Sequence, residues 1–188
     1  MSYLLNAAAF LVTTIFGFLI CLFLGRMLLI AVGASFYEPV CRFVYALTNP
    51  VITPLRSVVP RWGRIELASL LVAWVLVAIE LSLLVLFGGH RIGVLGVALS
   101  SVVGTLDWII LIELVAIFVY CVLSLFPAAR YDGNFGLLAR VVEPVVRPFR
   151  RLLPPVGGLD FSCWVASIAL ILVRLLVIMP LADLAAAA

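Results

Sequence analysis

Lysine is absent from this chain of 188 residues, and all twelve basic residues are arginine. Histidine occurs once, at His90, which reads as a surface-loop residue. The four cysteines, Cys21, Cys41, Cys121 and Cys163, are scattered without a C-x-x-C spacing. One histidine excludes a bis-histidine haem or a single-chain zinc site on ligand count alone. There is no G-x-S-x-G, H-E-x-x-H, Walker A or Rossmann fingerprint, and no pair of carboxylates on a loop beside a candidate acid or nucleophile. The chain therefore reads as a non-enzyme, with no catalytic residues, no metal site and no cofactor. Charge of either sign is scarce: 11% of residues are charged and 66% apolar, with mean hydropathy +1.35. Soluble domains run at about 25% charged and about 45–50% apolar, so this is the composition of an integral membrane protein. Met1 to Leu24 lacks the basic n-region of a signal peptide, and its apolar run exceeds the usual h-region of about 7–15 residues. It is expected to be retained as a membrane helix, and the lack of a preceding transit peptide favours a bacterial chain.

What is present is a duplication. NPVITPLRSVVPRWGRIE, residues 49–66, recurs as EPVVRPFRRLLPPVGGLD, residues 143–160, at one offset, 143 − 49 = 94. Pro50, Val51, Pro54, Arg56, Pro60 and Gly63 fall on Pro144, Val145, Pro148, Arg150, Pro154 and Gly157, and Glu66 falls on Asp160. Six identities without a gap, four of them Pro or Gly, make an internal repeat. The expected domains are a first repeat over 1–94 and a second over 95–188.

Four apolar stretches are long enough to cross a hydrocarbon core of about 30 Å: Tyr3–Gly25, Leu67–Phe87, Thr105–Phe126 and Phe161–Met179. The run from Ile92 to Phe126 exceeds one crossing and is expected to break near Gly104, its first part bearing a small-residue stripe of Gly96, Ser100 and Gly104. Arg26 comes late enough in the first span to snorkel to the headgroups. Between spans, Val40, Phe43, Val44 and Leu47 form one apolar face beside Glu38 and Arg42. Leu138, Val141, Val142 and Val145 do the same beside Arg140, Glu143 and Arg147. Such short amphipathic segments suit helices lying in the interface plane, or a loop helix on the same side. Prolines 50, 54 and 60 predict two short helical pieces with a bend, the second opened by Pro50 behind an Asn49 cap. Gly63 and Gly157 allow the turn back into the bilayer.

The fold class expected is thus an all-α membrane protein: four transmembrane helices from two parallel two-span repeats, each with a short amphipathic interfacial helix and a Pro/Arg-rich motif. Parity places both motif loops on one side with nine arginines, 42, 56, 61, 64, 130, 140, 147, 150 and 151, against Arg91 alone opposite. The positive-inside rule then predicts cytoplasmic motif loops and periplasmic termini in a bacterial inner membrane. Arg56, Arg147, Arg150 and Arg151, beside Leu55, Phe149 and Leu152, suit anionic headgroups, at about 1 kcal/mol per basic side chain. They serve equally as topology signals. No aromatic-interleaved basic face points to nucleic acid. Within the spans, Glu80 and Arg174 share a repeat position, 174 − 80 = 94, and Asp107 and Glu113 lie in the third span. Ionisable groups at such depth turn inward and pair, so Glu80 with Arg174, or Glu113 with Arg174, is the expected pair; an ion or proton site and neutral or snorkelled groups are the alternatives.

The repeated P-x-x-x-P-x-R-x-x-x-P pattern, with PPVGGLDFS after the second copy and ASFYEP and LTNP before the first, resembles the YggT family of small bacterial membrane proteins, whose relatives also occur in plastids. The resemblance spans nearly the whole chain in a double-repeat form. Two departures are Arg61-Trp62-Gly63-Arg64 against Pro155-Val156-Gly157-Gly158, and Cys163 where the family often has proline. The resemblance implies a non-enzymatic membrane protein linked to assembly of membrane complexes, to division and DNA distribution, or to osmotic tolerance. The first expectation is an assembly or scaffold factor that binds anionic lipid and membrane protein partners through residues Pro50, Pro54, Arg56, Pro60, Pro144, Arg147, Pro148, Arg150, Arg151, Pro154, Gly157, Gly158 and Asp160. The second is an ion or solute channel or transporter component, formed by homo-oligomers and using Glu80, Glu113 and Arg174.

Overall fold

The computed structural model describes residues 2–34, 38–57, 59, 63–88, 93–126, 133–152 and 161–186. Helix α1 (Ser2–Ala31) leads to α2 (Pro39–Leu55), α3 (Leu67–Gly88), α4 (Val94–Ser124), α5 (Gly133–Leu152) and α6 (Ser162–Val173). One wide helical turn (Arg174–Ile178) joins α6 to α7 (Met179–Ala186). Four helical segments are long and apolar enough to cross a membrane: Tyr3–Ala31, Leu67–Gly88, Val94–Ser124 and Ser162–Ala186. This is the all-α, four-span architecture expected, and the chain is a multi-pass membrane protein. Phe10, Ile15, Phe18, Phe118, Trp164 and Leu176 are exposed on these helices. Lipid, being as apolar as they are, covers such faces without cost, so the helices need no polar outer stripe.

Two expectations are corrected. The chain does not break near Gly104: α4 runs unbroken for 31 residues, so the third span begins at Val94. In hydrocarbon every backbone group must be bonded within the helix, which penalises a break far more than a glycine favours one. Gly104 serves packing instead, since a Cβ there would lie 3.0 Å from Val77 Cγ1 of α3. Nor does the Pro motif form two short pieces. Pro50 and Pro54 sit inside the continuous α2, and Pro144 and Pro148 inside α5. All four are exposed and four residues apart within each helix. The carbonyls they leave unbonded, those of Ala46, Pro50, Arg140 and Pro144, therefore lie on the outward face, where water or headgroups satisfy them. Asn49 consequently caps nothing. Pro60, Pro154, Gly157, Gly158 and Asp160, with the expected turn at Gly157, lie outside the described residues. Gly63 does take a left-handed conformation, φ 60°, and Gly33 ends the α1 turn at φ 68°, a region costly for any side chain with a Cβ.

The core has three patches. Ile20, Phe23, Leu24 and Met27 of α1 pack with Ile52 of α2 and Ala68, Ala73 and Val77 of α3. Cys41, Val44 and Tyr45 of α2 meet Leu137 and Val141 of α5 around Leu29. Ile117 of α4 joins Val142 and Val146 of α5 with Cys163 and Ala166 of α6. The second patch and an Arg140–Glu38 ion pair hold α5 against the start of α2, so both motif helices lie at the same end of the bundle, as parallel repeats require. On α2 the buried residues are Cys41, Val44, Tyr45, Thr48 and Ile52. Val40, Phe43 and Leu47, three of the four positions of its expected apolar face, point outward, and Val44 alone of the four is buried.

Candidate functional site

At the motif end, α1, α2 and α3 converge on one polar cluster. Arg26 is 1% exposed and so does not snorkel. Its Nε donates to Glu66 Oε2 at 2.7 Å, and Nη1 donates to Thr48 Oγ1 at 2.7 Å and Asn49 Oδ1 at 2.8 Å. The guanidinium lies 4.8 Å from the Tyr45 ring centre, a cation–π contact. Glu66, also 1% exposed, is saturated: Ser69 Oγ donates to Oε2, and Arg56 Nε and Nη2 donate to Oε1 at 2.8 and 2.6 Å. Burial pushes its carboxyl up, but the bonds from Arg26, Ser69 and Arg56 outweigh that and hold it below its ordinary range. Two cations around one buried carboxylate leave the cluster with a net positive charge, carried outward by the 40%-exposed Arg56. An ion pair so buried persists because every lone pair on the acid is used.

The second copy is built differently. Arg150, the counterpart of Arg56, donates from Nη1 to Glu143 Oε2 at 2.6 Å and from Nη2 to Tyr120 Oη at 2.9 Å. Tyr120 in turn stacks on Phe135, with ring centres 5.2 Å apart. Arg150 and Glu143 are 33% and 45% exposed, so this copy is the wetter one. Arg42, Arg64, Arg147 and Arg151 are exposed, with no hydrogen-bond partner among the described residues. Of the expected lipid-facing motif arginines, Arg147 and Arg151 are thus exposed without a hydrogen-bond partner among the described residues, while Arg56 and Arg150 are tied inward.

The intramembrane charges pair otherwise than expected. Arg174 meets Asp107, not Glu80 or Glu113, through Nε–Oδ1 at 2.6 Å and Nη2–Oδ2 at 3.0 Å. The reason is register: once α4 starts at Val94, Asp107 lies thirteen residues in (107 − 94 = 13). Arg174 stands twelve residues from each end of the Ser162–Ala186 span (174 − 162 = 12; 186 − 174 = 12), so the two face each other near mid-membrane. The wide turn also starts at Arg174, where the Met179 N–H reaches the Arg174 carbonyl just before Pro180, which has no N–H to give. Glu80 and Glu113 are buried, at 7% and 8% exposure. Glu113 Oε2 has no partner among the described residues.

Cys41 lies under Glu38, its Sγ 3.6 Å from Oε2. Burial first, then the Glu38 charge, pushes its thiol up to about 11, leaving it a poor nucleophile and a poor ligand. Among the described residues no three His, Cys, Asp or Glu side chains gather as a metal site. Arg26, Thr48, Asn49 and Ser69 are the network residues that sequence reasoning missed. The available signal was a late-span arginine at Arg26 with a single acid, Glu66, at the mouth of the next span.

A CCB3/YggT family profile matches residues 5–87 and again 99–181. The chain belongs to the CCB3/YggT family. The two matches carry the same offset as the motif, 99 − 5 = 94 and 181 − 87 = 94. An uncharacterized Pseudomonas aeruginosa protein is 32% identical over 94% of this chain and 91% of its own length. An uncharacterized Vibrio alginolyticus protein encoded in the proC 3′ region is 32% identical over 88% of this chain and 90% of its own. The uncharacterized YggT protein of Escherichia coli is 30% identical over 91% and 89%. No solved structure matches the chain.

Proposed function

We propose that this CCB3/YggT protein is a non-enzymatic scaffold of the bacterial inner membrane that presents paired motif helices, α2 and α5, to anionic headgroups and to membrane protein partners. The motif helices face the cytoplasm in this reading, and the termini the periplasm. The observation that carries it is the exposed pair Arg147 and Arg151 on α5, a helix held against α2 by Arg140–Glu38 and a shared apolar patch. Two exposed basic side chains on a surface helix, without a partner among the described residues, are available to phosphate, and each adds about 1 kcal/mol at an anionic membrane. Apolar neighbours Val40, Phe43 and Leu47 on the exposed side of α2 supply the insertion that charge alone does not. The Arg26–Glu66–Arg56 cluster holds α2 to the ends of two spans, so the surface is presented rigidly.

The test uses the full chain in nanodiscs of mixed zwitterionic and anionic lipid, with the bound lipid quantified by mass spectrometry. The wild type is expected to enrich anionic lipid, and the Arg147→Gln/Arg151→Gln variant to lose the enrichment while keeping its four spans. Equal enrichment in both, or none in either, defeats the headgroup reading. Co-purification of the same variant from cells then shows whether partner binding depends on that surface.

A further inference from the structure

A groove of about 400 Å³ lies between α3, α4 and the distal part of the fourth span, walled by Leu81, Val85, Val97, Val103, Ile178 and Ala182. Asp107, Arg174 and Ser100 also face it. It is independent of the motif surface. Its polar groups are placed unusually deep: Arg174 lies about 18 Å from either end of its span at 1.5 Å per residue, beyond the reach of a headgroup phosphate. Asp107 occupies Nε and Nη2 of Arg174, and Nη1 has no acceptor among the described residues. Ser100 Oγ is shielded and has no partner among them either. Arg174 Nη1 thus faces an apolar space in a medium that offers it no water, where an unpaired polar group costs free energy, while Ser100 Oγ lies shielded beneath the groove wall.

The charge decides the class of ligand. Asp107 cancels Arg174, and Asp183 at the groove's far end adds a negative charge, so an anion gains nothing there. The remaining need is a neutral hydrogen-bond acceptor on an apolar body that dissolves in the bilayer. An acyl chain fits the walls but leaves Arg174 Nη1 empty. A flat ring bearing a carbonyl fits the walls and the donor, and the groove's size is that of small-molecule sites. We propose that this groove binds a lipid-dissolved carbonyl compound of the quinone class, its ring against the valine and isoleucine walls and one carbonyl oxygen accepting from Arg174 Nη1. The proposal is for binding only, without electron transfer.

The probe is a photoactivatable azido-quinone, added to the full chain in nanodiscs of purely zwitterionic lipid, which removes any contribution from the motif arginines. Saturable labelling is expected on peptides spanning 97–107 and 174–186, displaced by excess short-chain ubiquinone. Ala182→Phe, which fills the groove, is expected to lower labelling about tenfold, equivalent to about 1.4 kcal/mol. Ile171→Phe, on the apolar face between α4 and α6, is expected to leave it unchanged. Labelling spread over every lipid-facing helix, or undiminished in Ala182→Phe, overturns the proposal. So does equal displacement by a saturated phospholipid, which would make the groove an acyl-chain site.

Discussion

The two repeats share a motif but not the chemistry built on it. Position by position at the 94-residue offset, Arg26 is replaced by Tyr120, Thr48 by Val142, Asn49 by Glu143 and Ser69 by Cys163, while Arg56 is kept as Arg150. The first repeat buries a cation and must gather an acid, two hydroxyls, an amide and an aromatic face around it. The second puts a neutral phenol where Arg26 stands, and its motif arginine turns to an acid on its own helix. In the spans the roles reverse: the first repeat carries Glu80 with no cation among the described residues, and the second carries Arg174 with a bidentate acid. A duplication therefore preserved the backbone of the motif, with its outward-facing prolines, while each half placed its costly charge at a different depth. Rigidity follows the buried charge, and availability to ligands follows the exposed one.

The largest effect expected from this contrast is Arg26→Leu. It removes the buried one of Glu66's two cations, leaving Arg56 and Ser69 as its donors, and takes Arg26 away from the Thr48 and Asn49 side-chain oxygens; removing one partner of a buried ion pair costs about 3–5 kcal/mol. Tyr120→Phe removes one neutral hydroxyl from a half-exposed arginine, worth about 1 kcal/mol. Thermal unfolding in detergent compares them, and equal losses would erase the distinction between the repeats. Next comes Asp107→Leu, which leaves Arg174 unpaired in mid-membrane and is expected to lower folded yield sharply. The Asp107→Leu/Arg174→Leu double variant should recover much of it, because both signs leave together. Equal yields for single and double would mean the pair adds no constraint.

A smaller effect is pH. The folded carboxyl of Glu66 titrates below its ordinary value of 4.5, so its contribution is complete above that value and is lost as pH falls through the lower folded one. The melting temperature of the wild type should drop in this acid window, and Glu66→Gln, already lacking the charge, should show a shallower drop. Identical profiles would assign acid sensitivity to other groups. The smallest effect on stability is expected from Arg147→Gln/Arg151→Gln, within about 0.5 kcal/mol, as for surface changes generally, even as anionic-lipid enrichment disappears.

Much of the architecture was legible because a bilayer imposes simple rules. Span length follows from the thickness of hydrocarbon, and repeat symmetry follows from residues 49–66 and 143–160 standing in one register. Legibility stopped where a residue has two physical options. Gly104 and the motif prolines read as breaks, since glycine and proline weaken helices in water. In the fold, Gly104 is a close contact with Val77, and the prolines occupy the one face where a lost backbone bond is harmless. Arg26 was equally able to snorkel or to turn inward, and only the presence of Glu66 across the helix interface selects the second.

The sequence by itself determined that this is a four-span, twofold-repeated membrane protein with an amphipathic segment and a basic Pro/Arg-rich motif after the first span of each half, because composition, length and periodicity are properties of the chain alone. The tertiary structure decided which charges meet. Arg174 chose Asp107 over Glu80 and Glu113 because partner choice depends on the start of α4, on the wide turn at Arg174 and on how the spans pack. Each of these shifts a side chain by several ångströms, more than the reach of one hydrogen bond.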